Sequence, residues 1–158
     1  MIPVNEPLLD GREKELLTQC IDSGWISSEG PFVTEFERGF SRYVGTEYGV
    51  AVCSGTAALE TALYAVGIRK DDEVIMPSFT IISCAIAALR LGAKPVLVDI
   101  DPETWNMDVN GLESKITQKT RAIMPVHIYG HPVDMDPLFD ISSQYGLKIV
   151  EDLSLIHI

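Results

Sequence analysis

An α/β fold built on a parallel sheet is what the sequence predicts, on two observations. From Tyr48 onward, short apolar runs of strand length alternate with amphipathic helical stretches. The runs themselves, such as Val96-Leu97-Val98 and Ile123-Met124-Pro125-Val126, are continuously apolar, as strands are when crossover helices cover both faces of their sheet. Taken in order, Leu16, Leu17, Cys20 and Ile21 recur at helical spacing over 11–23, and Phe32, Val33, Phe36, Phe40 and Tyr43 do so over 31–44. Two amphipathic helices therefore precede the sheet. Between them, residues 24–30 have a glycine at each end and an aromatic, the pattern of a structured loop. Trp25 in that loop either lines a site or plugs the first helix against a core. Strands are expected over 49–53, 73–76, 95–99, 122–127 and 148–151, and helices over 57–66, 81–91, 109–116 and 135–145.

The 158 residues, 46% of them hydrophobic, suffice for one domain with a real core, and no repeat, low-complexity segment or linker suggests a second. The formal charge of −11 comes without any run of basic residues, which disfavours nucleic acid or an anionic membrane as a partner. A small anion needs only a local site. Cys20, Cys53 and Cys84 are an odd number in or beside apolar segments, so reduced, buried and inert thiols of a cytosolic protein are expected. The start carries no basic n-region and no segment reaches about 18 uninterrupted apolar residues, so neither secretion nor a membrane span is expected.

The strongest chemical signal lies where Val50-Ala51-Val52 ends in Ser54-Gly55-Thr56 and opens into the helical pattern at Ala57. A glycine there lets a ligand approach the backbone, the first N–H groups of the helix lack intrahelical partners, and the dipole favours an anion. The same residues also suit a plain turn and N-cap. In open α/β sheets ligands gather beyond the carboxyl ends of the strands. Ser54-Gly55-Thr56, Pro77-Ser78-Phe79-Thr80, Asp99, His127 and Glu151-Asp152 all fall at such ends, where one pocket can collect them. Asp152 is placed either to face a cationic ring nitrogen and hold it protonated, or to cap a helix. His127 and His131 have i, i+4 spacing, but Gly130 and Pro132 argue against a helix that joins them, and no metal site is expected. Asp99, Asp101, Asp108, Asp134 and Asp136 read as acidic turns and caps rather than a cation loop. A nucleophile elbow, G-x-G-x-x-G and a Walker lysine are all missing.

In combination, residues 2–4, Gly24-Trp25-Ile26-Ser27-Ser28-Glu29-Gly30-Pro31, Ser54-Gly55-Thr56-Ala57-Ala58-Leu59, Asp72-Glu73-Val74-Ile75-Met76-Pro77, Pro95-Val96-Leu97-Val98-Asp99, the run from Pro125 to Asp136 and Glu151-Asp152 resemble the DegT/DnrJ/EryC1/StrS sugar aminotransferases. The resemblance implies the large domain of the three-layer α/β/α fold of pyridoxal 5′-phosphate (PLP) enzymes, fold type I, with a seven-stranded sheet in the order 3-2-4-5-6-7-1. In that order 49–53 is strand 1 and 148–151 is strand 5. It also implies transfer of an amino group from glutamate to C4 of a nucleotide-linked 4-keto-6-deoxy sugar, for polysaccharide synthesis in the cytoplasm, by a homodimer. By position, Gly55, Thr56 and Ala57 hold the cofactor phosphate and Asp152 salt-bridges the pyridinium nitrogen. Ile81 lies against the ring where the family usually has an aromatic residue.

Two departures bear on that assignment. Leu155 stands where the family commonly has Gln or Glu, and the family's Schiff-base lysine lies a few tens of residues beyond the aspartate. None of Lys14, Lys70, Lys94, Lys115, Lys119 and Lys148 sits in a matching motif. Residues 1–152 are accordingly expected to be the amino-terminal part of the large domain, truncated and inactive alone, and 153–158 a tail from outside the family. The alternatives are a PLP-dependent sugar dehydratase of the same family, with histidine for the lysine, and a non-catalytic binding remnant.

Overall fold

A computed structural model describes residues 6–154. The chain divides into two compact units, Met1–Ala51 and Val52–Ile158. The motif at 2–4 and the expectation at Leu155 lie outside the described residues.

In the first unit, helix α1 spans Glu13–Ser23 and α2 spans Pro31–Val44. Proline at the first position of α2 costs no hydrogen bond, because that N–H has no helical partner, and Gly45 closes the helix in the left-handed conformation (φ +75°). Phe36 and Phe40, one turn apart, stack at 5.7 Å.

The strand expected over 49–53 is corrected here: no ladder forms along it. Instead the Ala51 N–H donates to Glu37 Oε1 at 2.8 Å, and the backbone at Gly49 passes so near α2 that a Cβ there would sit 2.7 Å from the Glu37 carbonyl oxygen. Val50 is 76% exposed. The segment is extended and apolar enough for a strand, but a strand exists only through a hydrogen-bonded neighbour, and none of the described residues supplies one.

The second unit begins its regular structure with α3 (Gly55–Ala65), followed by β1 (Glu73–Pro77), α4 (Ile82–Arg90), β2 (Lys94–Val98), β3 (Thr120–Ile123), α5 (Met135–Tyr145) and β4 (Lys148–Ile149). The four strands are parallel in the order β2-β1-β3-β4, which is the 3-2-4-5 run of the order the resemblance implies. Side chains alternate across the sheet as a period of two requires. Val74, Met76, Ala122 and Met124 face a core completed by Leu59 and Leu63 of α3 and Cys84, Ala87 and Ala88 of α4. Ile75, Val98 and Ile123 face the opposite core with Met107, Leu112 and Leu138. The unit therefore has three layers, and three small residues let α4 pack close to the sheet.

Several expected elements shift by a residue or two at their ends, and three others need a physical account. The helix over 109–116 is two 3₁₀ turns, Val109–Gly111 and Glu113–Lys115. A β-branched residue, an asparagine and a glycine in succession are poor helix formers, and the Asp108 side chain takes the Asn110 N–H into a local turn. β3 ends before Pro125, which has no N–H to continue a ladder, and β4 is short. Pairing nevertheless runs on: Val150 N–H bonds the Ile123 carbonyl at 3.0 Å, and Asp152 N–H bonds that of Pro125 at 2.9 Å. These bonds carry the backbone in register to Asp152.

Candidate functional site

Beyond the carboxyl ends of the strands lies a cleft of about 210 Å³ lined by Gly55, Thr56, Leu59, Ile81, Ser83 and Ser154. At its floor is the start of α3. The Ser54 hydroxyl accepts the Ala57 N–H at 3.2 Å and its carbonyl accepts that of Ala58 at 3.0 Å. The N–H groups of Gly55 and Thr56 thereby remain as the free donors of the first turn. A Cβ on Gly55 would lie 3.6 Å from Ser154 Cβ, so its absence keeps the cleft open at that point. The Thr56 hydroxyl donates to Ser83 Oγ at 2.9 Å, which ties α3 to the first turn of α4. Ile81 is the N-cap residue of α4 and is 44% exposed, its apolar side chain on the wall of the cleft.

Asp152 lies beside this cleft through Ser154, whose N–H donates to Asp152 Oδ1 at 2.9 Å. The other oxygen, Oδ2, accepts the Cys84 thiol at 3.0 Å, and Thr80 Oγ1 is 3.2 Å from the same sulfur. The residue is only 2% exposed, yet among the described residues no cation stands within salt-bridge distance of it. A buried carboxylate held only by neutral donors is costly unless a positive group completes it. Burial pushes the Cys84 thiol up to about 12, and its bond to the Asp152 carboxylate adds to the rise.

Of the residues the sequence singled out, Gly55, Thr56 and Ile81 share the cleft, and Asp152 adjoins it. Ala57 does not line it, and its N–H is taken by Ser54. His127 turns instead to Glu151, with Nε2 at 3.1 Å from the carboxylate, while the Val133 N–H donates to Nδ1 at 3.0 Å. Because Nδ1 accepts that N–H, the ring proton of a neutral His127 is on Nε2. Asp101, Asp108 and Asp134 each accept N–H groups of their own turns. Those of Thr104 and Glu103 hold the Asp101 carboxyl below its ordinary range. The thiols are a correction: Cys84 is buried as expected, but Cys53 is exposed and Cys20 half-buried, because the segments around them lack a covering layer among the described residues. Ser83, Cys84 and Ser154 were not foreseen as site residues, whereas Thr80 was among the strand-end residues the sequence singled out. The hydroxyl-rich run from Ser78 to Ser83 was the signal for Ser83.

Three of the lysines sit at the other edge of the sheet. Lys94 and Lys148 begin β2 and β4, and the Lys119 carbonyl accepts the Glu73 N–H at the start of β1. In a parallel sheet those starts form the edge opposite the cleft.

A three-layer unit with a helix N-terminus and a buried carboxylate at one sheet edge has the form of part of a PLP-dependent transferase of fold type I. Solved structures agree: 3-amino-5-hydroxybenzoic acid synthase superposes with a TM-score of 0.90 at 40% identity, over 96% of this chain and 40% of that one. NtdA of Bacillus subtilis, solved with bound cofactor PMP, superposes with a TM-score of 0.85 at 37% identity, over 89% of this chain and 32% of that one. The chain belongs to the DegT/DnrJ/EryC1/StrS aminotransferase family, whose model matches residues 7–155. It is 48% identical over 151 residues to the GDP-perosamine synthase of Caulobacter vibrioides, covering 96% of this chain. It spans about two fifths of the length of the curated relatives it matches, 41% and 42% for the first two.

Proposed function

We propose that this chain is the amino-terminal part of a PLP-dependent aminotransferase that moves an amino group from glutamate to C4 of a GDP-linked 4-keto-6-deoxy sugar. The observation that carries the reading is the buried Asp152 carboxylate, which has no cation within salt-bridge distance among the described residues and adjoins a cleft whose other side is a helix N-terminus. That donor set fits the cofactor: anion donors on one side, an apolar wall, and a carboxylate for a ring cation. The match to GDP-perosamine synthases supports the sugar.

In this reading the Gly55 and Thr56 N–H groups and the Thr56 and Ser83 hydroxyls bind the phosphate. Ala57 belongs to the same turn and orders it through its bond to Ser54. Ile81 packs on a ring face by apolar contact, and Asp152 holds the proton on the ring nitrogen by opposite charge. When bound, PLP supplies the electron sink that amino transfer needs. Lys94, Lys119 and Lys148 stand at the edge of the sheet opposite the cleft, and in this reading the covalent lysine of the complete enzyme comes from other residues. The two subunits of a homodimer and the cytoplasm as its place complete the proposal.

The test is made on the complete enzyme: PLP titration of the cofactor-free protein, then release of 2-oxoglutarate from glutamate with a GDP-4-keto-6-deoxy sugar as acceptor. Thr56→Ala removes a hydrogen bond to a charged group, worth about 1.5–3 kcal/mol, and is expected to weaken PLP binding accordingly. Unchanged binding returns Ser54-Gly55-Thr56 to the role of a turn and cap, and absence of an amino-sugar product overturns the substrate.

A further inference from the structure

We infer that Cys84, backed by Thr80, is a positioning residue that fixes the Asp152 carboxylate toward the cofactor ring through a chain of neutral hydrogen bonds. The inference rests on the proposed role of Asp152 and adds what aims it.

An ionised carboxylate can only accept, so in the 3.0 Å contact the hydrogen lies on Cys84 Sγ and points to Asp152 Oδ2. With its one hydrogen spent, the sulfur can only accept from Thr80, so the Thr80 hydroxyl is the donor in the 3.2 Å contact. The direction of the whole chain is thereby set: Thr80 O–H to Cys84 Sγ, then Cys84 S–H to Asp152. On the other oxygen, the Ser154 N–H completes the clamp at 2.9 Å. Each carboxylate oxygen still has acceptor capacity for a ring N–H.

The chemistry of the clamp suits that task. A lysine or arginine in place of Cys84 would hold the carboxylate but also neutralise it, whereas a thiol and an amide N–H fix its plane and leave its charge for the ring. Cys84 is fully buried and its thiol is pushed far above neutrality, so the donor is retained across the working pH range. One turn of chain organises both contacts with the ring. The Cys84 N–H closes on the Ile81 carbonyl at 3.2 Å, so the residue against the ring face and the residue that aims the nitrogen's partner move as one.

The experiment uses the complete enzyme and the variants Cys84→Ala, Cys84→Ser, Asp152→Asn and Cys84→Ala/Asp152→Asn, each checked for an unchanged melting temperature. The first readout is the PLP dissociation constant of the cofactor-free protein. Loss of a hydrogen bond to a charged group predicts roughly a tenfold weakening for Cys84→Ala, the low end for a weak donor, and Cys84→Ser, which keeps a donor, restores most of it. Asp152→Asn weakens binding more, and adding Cys84→Ala to it costs nothing further, because the thiol acts only through the carboxylate. The second readout needs no cofactor and one more variant, Asp152→Ala: the infrared S–H stretch of Cys84 lies at the hydrogen-bonded, low-frequency end and moves up when the carboxylate is removed. Additive effects of the two substitutions, or wild-type affinity in Cys84→Ala, overturn the inference. Wild-type affinity in Asp152→Asn overturns instead the reading of Asp152 on which it stands.

Discussion

The two compact units of the chain separate the forming of a helix from the burying of one. In Met1–Ala51, α2 begins and ends where Gly30-Pro31 and Gly45 dictate, yet only Gly30 and Ser41 among its described residues are buried. Phe36 and Phe40 stack on each other while remaining 60% and 50% exposed. In Val52–Ile158, two clusters of buried hydrophobic side chains cover the two sides of a four-stranded sheet. Local signals such as caps and periodicity thus set where a helix starts and stops, whereas its stability comes from what covers its apolar face.

The largest effect expected from this contrast is in the core. Ile75 is wholly buried at the centre of the sheet, and Ile75→Ala removes its packing and leaves a cavity, a loss of about 2–5 kcal/mol. Phe36→Ala in α2 removes a larger but mostly exposed side chain and is expected to cost under about 1 kcal/mol. Urea midpoints of the two variants of the complete enzyme measure the difference. Equal losses break the contrast and mean that the α2 face is covered in the working molecule.

An intermediate effect follows from the buried thiol. Cys84 keeps its proton in the fold up to about 12, against an ordinary value of 9.0. Between those values the unfolded chain loses a proton that the folded chain retains, so this contribution is intact below about 9 and falls away as pH rises. The slope is at most about 1.4 kcal/mol per pH unit for one proton. Stability measured from pH 8 to 11 is expected to fall more steeply in the wild type than in Cys84→Ser, which has no proton to lose in that range. Parallel curves mean that the thiol meets water in solution, and the sheet unit is then less closed than its burial indicates.

The contrast also explains what was legible in the sequence. The helices at 31–44 and 135–145 agree with the structure residue for residue, because proline, glycine and aspartate caps act locally. The strand order could be had only from the family resemblance, since pairing is between residues far apart in sequence. Residues 49–53 show the limit: their pattern suits a strand, but whether one forms depends on a neighbour and not on the pattern. At the site, Gly55, Thr56, Ile81 and Asp152 were visible as motif residues. The thiol that holds Asp152 was not, because the contact joins positions 68 residues apart, and Cys84 in an amphipathic stretch reads as core, which it also is.

The smallest expected effect belongs to the first unit. Arg12 grips Glu15 through two hydrogen bonds, from Nε at 3.0 Å and from a terminal nitrogen at 2.8 Å, and the contact holds the Glu15 carboxyl below its ordinary range. Its contribution is present above that range and is lost as pH falls through the lowered value. Both side chains are solvent-exposed, however, so water and ions screen the attraction and much of the gain goes into ordering two long side chains. In Arg12→Gln the Glu15 carboxyl is expected to titrate closer to its ordinary value by NMR, a difference that vanishes when the measurement is repeated near 1 M salt, where the screening length falls to about 3 Å. The melting temperature is expected to stay where it was. A clear drop on losing this one pair would place the start of α1 in a drier setting than its exposure indicates, and the distinction between a unit held by local signals and a unit held by burial would fail at its most exposed point.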